Sequence, residues 1–260
     1  MDASPVGPCH PGYSDAEAAG LYDVLNPWGP SDDFYLGIIM QAASALDVGC
    51  GTGVLLQHAR DAGHRGRLCG VDPDPAMLAI ARQRGDVEWE EATAATMRFE
   101  REFELAVMTG HAFQVLTTDG EVRASLQAIR RALVEDGRFA FETRNPQRRA
   151  WESWDKAQLE TTDQKGRKLL VWYDVEEVVD DVVTLTETTG DPDHTAFRVD
   201  RGSLRFLSVE ALDSFLAEAG FAIEERFGGW RQESLQADSE EIVTVARALD
   251  ASALAEVGGS

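Results

Sequence analysis

Hydrophobic positions over the first 150 residues alternate between two rhythms. Short continuous apolar runs, as in strands buried on both faces, are each followed by apolar residues at three- and four-residue intervals, the period of a helix with one buried face. The runs are 45–49, 68–72, 87–91, 103–108 and 138–142. Between them the helical period covers Val54–Arg60 and a segment to Arg84 that Asp74 caps and Pro75 opens. It returns at Val122, Leu126, Ile129 and Leu133, where a capping box at Thr118–Glu121 starts the helix and Asp136-Gly137 closes it. Two helices precede the first strand. One follows a capping box at Ser14–Glu17 and carries Leu21, Tyr22, Val24 and Leu25 up to Asn26-Pro27; the other starts at Ser31 and carries Phe34, Tyr35, Ile38 and Ile39. Such alternation predicts an α/β fold, a doubly wound and mostly parallel sheet with its ligand crevice at the carboxyl ends of the strands.

From 151 to 207 the period drops to two. Leu169, Val171, Tyr173 and Val175 alternate with Leu170, Trp172, Asp174 and Glu176; Val183 and Leu185 alternate with threonines; Phe197, Val199, Leu204 and Phe206 follow the turn Gly190–Asp193. This predicts an antiparallel β insert. A helix from Ser208 to Gly220 and two strands, 221–227 and 241–248, then complete the sheet. The organisation expected is a core of 14–150 and 208–248, an insert of 151–207, and flexible tails at 1–13 and 249–260.

Composition narrows the partners. Of 260 residues, 46 are acidic and 24 are Lys or Arg, a formal charge of −22 that repels phosphate backbones and anionic membrane surfaces, and no basic cluster offsets it. No apolar run approaches the ~20 residues of a membrane-spanning helix. The first ten residues lack the basic start and apolar core of a secretory signal, so the cytoplasm is the default expectation. Cys9, Cys50 and Cys69 are too scattered for a disulfide framework or a zinc site, and no metal is expected. The partner expected is a small molecule, neither nucleic acid nor membrane; oligomeric state is not legible.

The chemistry centres on Ala45-Leu46-Asp47-Val48-Gly49-Cys50-Gly51-Thr52-Gly53, a strand that runs into glycines at every second position and then a helix. Without Cβ atoms such a loop admits positive φ and lets the backbone lie against a ligand. The spacing is G-x-G-x-G, so the third glycine comes one residue early for a dinucleotide fingerprint. Asp72, nineteen residues beyond Gly53 at the end of the second strand, offers two carboxylate oxygens to a ribose diol, or caps the next helix.

The run L-D-V-G-C-G-T-G followed by G-V-D-P-D-P-A-M-L resembles the class I S-adenosylmethionine-dependent methyltransferases, over about 22–144 and again over 208–248. The resemblance implies a Rossmann-like, seven-stranded sheet with its last strand antiparallel, and S-adenosyl-L-methionine as cofactor with S-adenosyl-L-homocysteine as product. Carried over by position, it implies that Asp47, Gly49 and Gly51 hold the methionine part and Asp72 the ribose. Pro73 and Met77 would pack near the adenine, Met108 would border the site at the end of the fourth strand, and Tyr22 would close over the methionine end or serve as a core tyrosine. Where many relatives have Gly-Asp-Ala after the third strand, this chain has Ala92-Thr93-Ala94, so adenine recognition would rest on the Thr93 hydroxyl, the Ala94 backbone and apolar packing.

A sulfonium methyl is already activated, so the protein mainly positions the acceptor, and a base is needed only when the acceptor must lose a proton. His111, just after the fourth strand, is the candidate base, or else a loop histidine that hydrogen-bonds its neighbours. Glu142 and Arg144 leave the fifth strand at the crevice edge, where they would grip an amine and a carboxylate or pair structurally. Some relatives that methylate small molecules carry an antiparallel insert after the fifth strand, roofing the pocket. By that likeness Trp172 and Arg205, together with Trp230 between the last two strands, are candidate substrate contacts, and Trp151, Trp154 and Tyr173 join them as wall or as the insert's own core. The function expected is methyl transfer to an O or N atom of a small acceptor. A cyclase, a non-catalytic binding module and an NAD-dependent oxidoreductase remain alternatives at this stage.

Overall fold

The computed structural model describes residues 16–156, 158–163 and 166–249. The expected tail at 1–13, Ser14 and Asp15 of the first capping box, and all but the first residue of the expected C-terminal tail lie outside the described residues.

The elements run α1 (Ala16–Leu25), α2 (Pro30–Ile39), β1 (Ser44–Val48), α3 (Val54–Asp61), β2 (Arg67–Asp72), α4 (Pro75–Ala81), β3 (Glu88–Glu91), β4 (Phe103–Met108), α5 (Asp119–Ala132) and β5 (Leu133–Arg144). The insert contributes β6 (Gln158–Thr162), β7 (Lys168–Val179), β8 (Val182–Gly190) and β9 (Ala196–Arg205), and the core resumes with α6 (Val209–Glu218), β10 (Phe221–Phe227) and β11 (Glu241–Ala248). The main sheet has seven strands in the order β10-β11-β5-β4-β1-β2-β3; β6 to β9 form a separate four-stranded meander. Strands β1 to β5 pair in parallel, and β11 lies antiparallel between β5 and β10.

Central strands are apolar on both faces because helices cover both. Leu46, Val48, Cys69, Val71, Phe139 and Phe141 pack on the side of α5 and α6. Their sequence neighbours Ala45, Leu68 and Ala140, with Leu105 and Val107, pack on the opposite side against α2 and α3. The predicted caps form: Asp74 accepts from the Ala76 N–H at 2.7 Å, Thr118 and Glu121 make their reciprocal box, and Ser208 accepts from the Ala211 N–H at 3.3 Å.

Two helix ends and one strand differ most from expectation. Helix α5 stops at Ala132, because Leu133 turns extended (φ −82°, ψ 143°) and pairs with Phe103; Asp136-Gly137 lies in an irregularity of β5 where its register with β4 shifts, Asp136 at φ 59°. Helix α4 ends at Ala81, and Arg84 beyond it reaches back to Asp23. The insert has a strand the pattern did not show, β6, which is mostly exposed and ordered by pairing with β7.

The crevice at the switch point

Strand order reverses between β1 and β4, and the glycine loop leaves β1 at that point. Gly49, Gly51 and Gly53 all adopt positive φ (80°, 53° and 75°), a region that disfavours side-chain-bearing residues. The loop is fastened at several points. The Gly49 and Cys50 N–H groups donate to the Val71 carbonyl at 2.7 and 3.0 Å. Asp72 accepts from the Gly51 N–H at 2.8 Å with one oxygen and from the Asp74 N–H at 2.9 Å with the other. Each carboxylate oxygen keeps acceptor capacity for a second donor. Beneath the loop lies the Trp89 indole, so close that a Cβ on Gly53 or Gly70 would meet it at 2.3 or 2.4 Å.

Helix α1 covers the loop from above. The Tyr22 ring lies over Gly51 with its hydroxyl beside Gly110, and Asp23 receives the Thr52 hydroxyl at 2.5 Å and the Arg84 guanidinium at 3.0 Å. Burial and the nearby Asp72 push the Tyr22 hydroxyl well above its ordinary range, so it stays protonated.

The crevice is acidic and partly uncompensated. Asp47 is 1% exposed, and its Oδ1 has no hydrogen-bond partner among the described residues. Burial, helped by Asp72, Glu142 and Asp32, pushes its carboxyl from 3.8 up to about 8. Burial also raises Asp72, against the pull of the Asp74 and Gly51 N–H groups. Glu142, equally buried, receives the Tyr35 hydroxyl on one oxygen and the His111 N–H on the other at 2.7 Å; its carboxyl is raised by burial, which His111 and Tyr35 partly offset.

His111 sits at positive φ (61°), and its Nε2 lies 3.0 and 3.1 Å from the two Glu241 oxygens. A carboxylate at Nε2 makes that nitrogen the donor and leaves Nδ1 as the ring's acceptor. The Arg144 guanidinium donates to Gln114 at 3.1 Å and stacks over Trp154.

The structure thus gathers Tyr22, Asp47, Gly49, Gly51, Asp72, His111 and Glu142 about one crevice. Met77 packs with Ala18 and Ala19 beside Tyr22, and Met108 and Ala94 are in the core layer under α5. Pro73 and Thr93 are exposed, the Thr93 hydroxyl 3.0 Å from that of Thr96. Trp230 packs on Phe34 and Tyr35. Trp172 meets His194 within the insert, and Trp151 and Trp154 meet Phe206. Arg205 is engaged by Asp181 and Asp119, each at 2.8 Å, where the insert meets α5. Sequence reading missed Asp23, Tyr35 as a polar contact, and Glu241. Only Asp23, next to Tyr22, had a local signal; the others need the β5–β11 register and the seating of α2.

Among the described residues no cluster of His, Cys, Asp and Glu is arranged to hold a metal ion, and no helix is long and apolar enough to cross a membrane. A family profile described as a methyltransferase domain matches residues 45–137. A 2-phytyl-1,4-naphtoquinone methyltransferase of Thermosynechococcus vestitus is 31% identical over 161 residues, covering 60% of this chain and 68% of that protein. An S-adenosylmethionine-dependent methyltransferase from Clostridium acetobutylicum superposes with a TM-score of 0.72 at 16% identity, over 89% of this chain and 98% of that one. CalS10, an amino pentose methyltransferase from Micromonospora echinaspora solved with its cofactor, superposes with a TM-score of 0.66 at 23% identity, over 87% and 96%.

Proposed function

Because this chain belongs to the class I S-adenosylmethionine-dependent methyltransferases, we propose that it methylates an oxygen or nitrogen of a small-molecule acceptor held between the crevice and the 151–207 insert. The observation that carries the cofactor half is the buried, unpartnered Asp47 oxygen below a glycine loop. A buried carboxylate without a partner is costly, and an ammonium placed against it removes the cost. The cofactor's methionine end carries such an ammonium. Asp72, already fixing the loop, has acceptor capacity left for ribose hydroxyls, and Tyr22 closes the loop from above.

When bound, the sulfonium supplies an activated methyl group. The chain's own task is to orient the acceptor, exclude water and remove a proton where one must leave. His111 does the last: Glu241 holds Nε2, so Nδ1 takes the proton, and the contact of Glu142 with the His111 N–H fixes the left-handed backbone that aims the ring. Acidic side chains around the crevice favour a cationic cofactor over its neutral product, which assists product release. The two similar proteins whose names give an acceptor act on a phytyl-substituted naphthoquinone and on an amino pentose, each a small molecule built on a ring. That is the class proposed here.

The test is a metabolite panel with methyl-labelled cofactor. Labelled product and S-adenosylhomocysteine should form one to one, and His111→Ala should lower kcat by roughly 10²-fold or more while S-adenosylhomocysteine affinity is kept. Full turnover in His111→Ala removes the base assignment, and label transfer to no acceptor removes the small-molecule reading.

A further inference from the structure

Helix α1 and the insert leave a cavity of about 160 Å³ between them. Its α1 wall is apolar, made of Ala18, Leu21 and Leu25 at helical spacing. Its insert wall is not. Directly opposed residues of paired strands share a face, so the face of β7 that carries Leu169, Val171 and Tyr173 continues as Thr189 and Glu187 on β8 and as Arg198 and Asp200 on β9. Those four polar residues and Leu169 all border the cavity, and the bulge in β9 adds Phe197 to the same wall. A sheet face set against an apolar helix stripe is ordinarily apolar, because that fills the space between them. Here half-buried hydrogen-bonding groups replace the filling, a local conflict of the kind that marks a binding surface.

Two routes tie this cavity to the crevice. Leu21 is followed by Tyr22, over Gly51 and against Gly110, and by Asp23, which receives the Thr52 hydroxyl. On the insert side, Tyr173 is raised by burial and by its contact with Glu187, and it also feels Arg144, which donates to Gln114 three residues from His111. Helix α1 therefore borders both spaces, and β7 links the cavity to Arg144.

We propose that the cavity receives the part of the acceptor remote from the methylated atom, a single uncharged six-membered ring with hydroxyl donors along one edge and an apolar opposite edge. The size fits, since cavities of about 150 Å³ hold one benzene ring. Carboxylate oxygens of Glu187 and Asp200 and the Thr189 hydroxyl accept from the ring's hydroxyls, while the aliphatic α1 wall covers its other edge. The cations at the wall already meet acids, Arg198 with Asp200 and Arg167 with Asp163, which argues for an uncharged ring over a carboxylate. The proposal rests on the methyltransferase reading above and adds where the acceptor sits.

The test needs no knowledge of the true acceptor. The full chain, loaded with S-adenosylhomocysteine, is titrated with catechol and with methyl β-glucopyranoside by ligand-observed NMR. At least one probe should bind the wild type saturably. Thr189→Trp, which fills the cavity from the sheet side, should weaken it at least tenfold, whereas Val199→Trp, on the opposite and exposed face of β9, should not. S-adenosylhomocysteine affinity, measured by calorimetry, should stay within twofold in both variants. The proposal is overturned if neither probe binds, if Thr189→Trp binds like the wild type, if Val199→Trp weakens binding equally, or if Thr189→Trp acts on the cofactor product instead. Failure of the wild type to bind S-adenosylhomocysteine would instead strike the cofactor reading, which separates the two.

Discussion

Replacing Asp47 with asparagine should stabilise the ligand-free protein at alkaline pH while removing cofactor binding. The folded carboxyl is raised from 3.8 to about 8, so between those values the native state holds a proton that the unfolded chain has released. Wild-type stability, measured against the Asn variant, is then fully present below about pH 4, falls by up to ~1.4 kcal/mol per pH unit as pH rises, and levels off above about pH 8. The acids facing Asp47 are Asp32 on α2, Asp72 on β2 and Glu142 on β5; all persist in the variant, so the difference isolates Asp47 and its coupling to them. From pH 6 to pH 8 the gap should open by about 2 kcal/mol, roughly 4–8 °C in melting temperature for a chain of this size. The assay is thermal unfolding of both proteins at half-unit pH steps, with and without S-adenosylhomocysteine. Near 100 Kd the ligand should stabilise the wild type by about 2.7 kcal/mol and leave the variant unmoved. A gap that does not change between pH 6 and pH 8, or a variant less stable than wild type at pH 8.5, would refute the view that Asp47 is a buried acid whose charged form lacks a partner until the cofactor binds.

Other sites give sharp outcomes too. Gly70→Ala should lower the urea midpoint by the equivalent of about 2–3 kcal/mol, since its Cβ would lie 2.4 Å from Trp89 and 2.8 Å from the Cys50 sulfur; adding Trp89→Leu should recover most of that, and no loss in the single variant would sink the packing account. Thr52→Val removes the hydroxyl that holds Asp23 and should weaken S-adenosylhomocysteine binding about 5–10-fold with little change in melting temperature; unchanged affinity would mean that α1 does not help to hold the cofactor. Glu241→Gln should lower kcat and leave cofactor affinity intact, because it alters only what holds the His111 ring; a KM effect without a kcat effect would place Glu241 in acceptor binding instead.

Much of the fold was readable because local chemistry and period agree. Strands 221–227 and 241–248 and the helix capped by Ser208 lie where the pattern sets them. Leu133 misleads because helical spacing and strand burial ask for the same residue type; its pairing with Phe103, thirty positions away, decides the matter. Strand β6 carries no readable alternation, its residues being mostly exposed, and exists through its ladder with β7. Within the insert, period two gave the strands but not which face is filled: on β7, Leu169, Leu170 and Val171 are all buried, so alternation alone does not tell the α1 side from the other.

The two halves of the site differ in sequence locality. The cofactor half is compact in sequence: Asp47, the glycine loop and Asp72 lie within twenty-six positions, and each is tied to the others by a strand end, a positive φ or a backbone hydrogen bond. Spacing there is dictated by turn geometry, so a motif can reveal it. The acceptor half joins residues with no local relation. His111 meets Glu241 across 130 positions, and Tyr35 meets Glu142 across 107. Those contacts exist only through the antiparallel placing of β11 beside β5 and the seating of α2, and Glu187 lines the neighbouring cavity only through the docking of the insert on α1. On the acceptor site proposed above, substitutions of insert residues such as Thr189 and Arg198 would change the acceptor without touching any residue that fixes the glycine loop. Specificity in this protein is accordingly expected to move with α1 and the 151–207 segment, while Asp47 and Asp72 set whether any methyl transfer occurs.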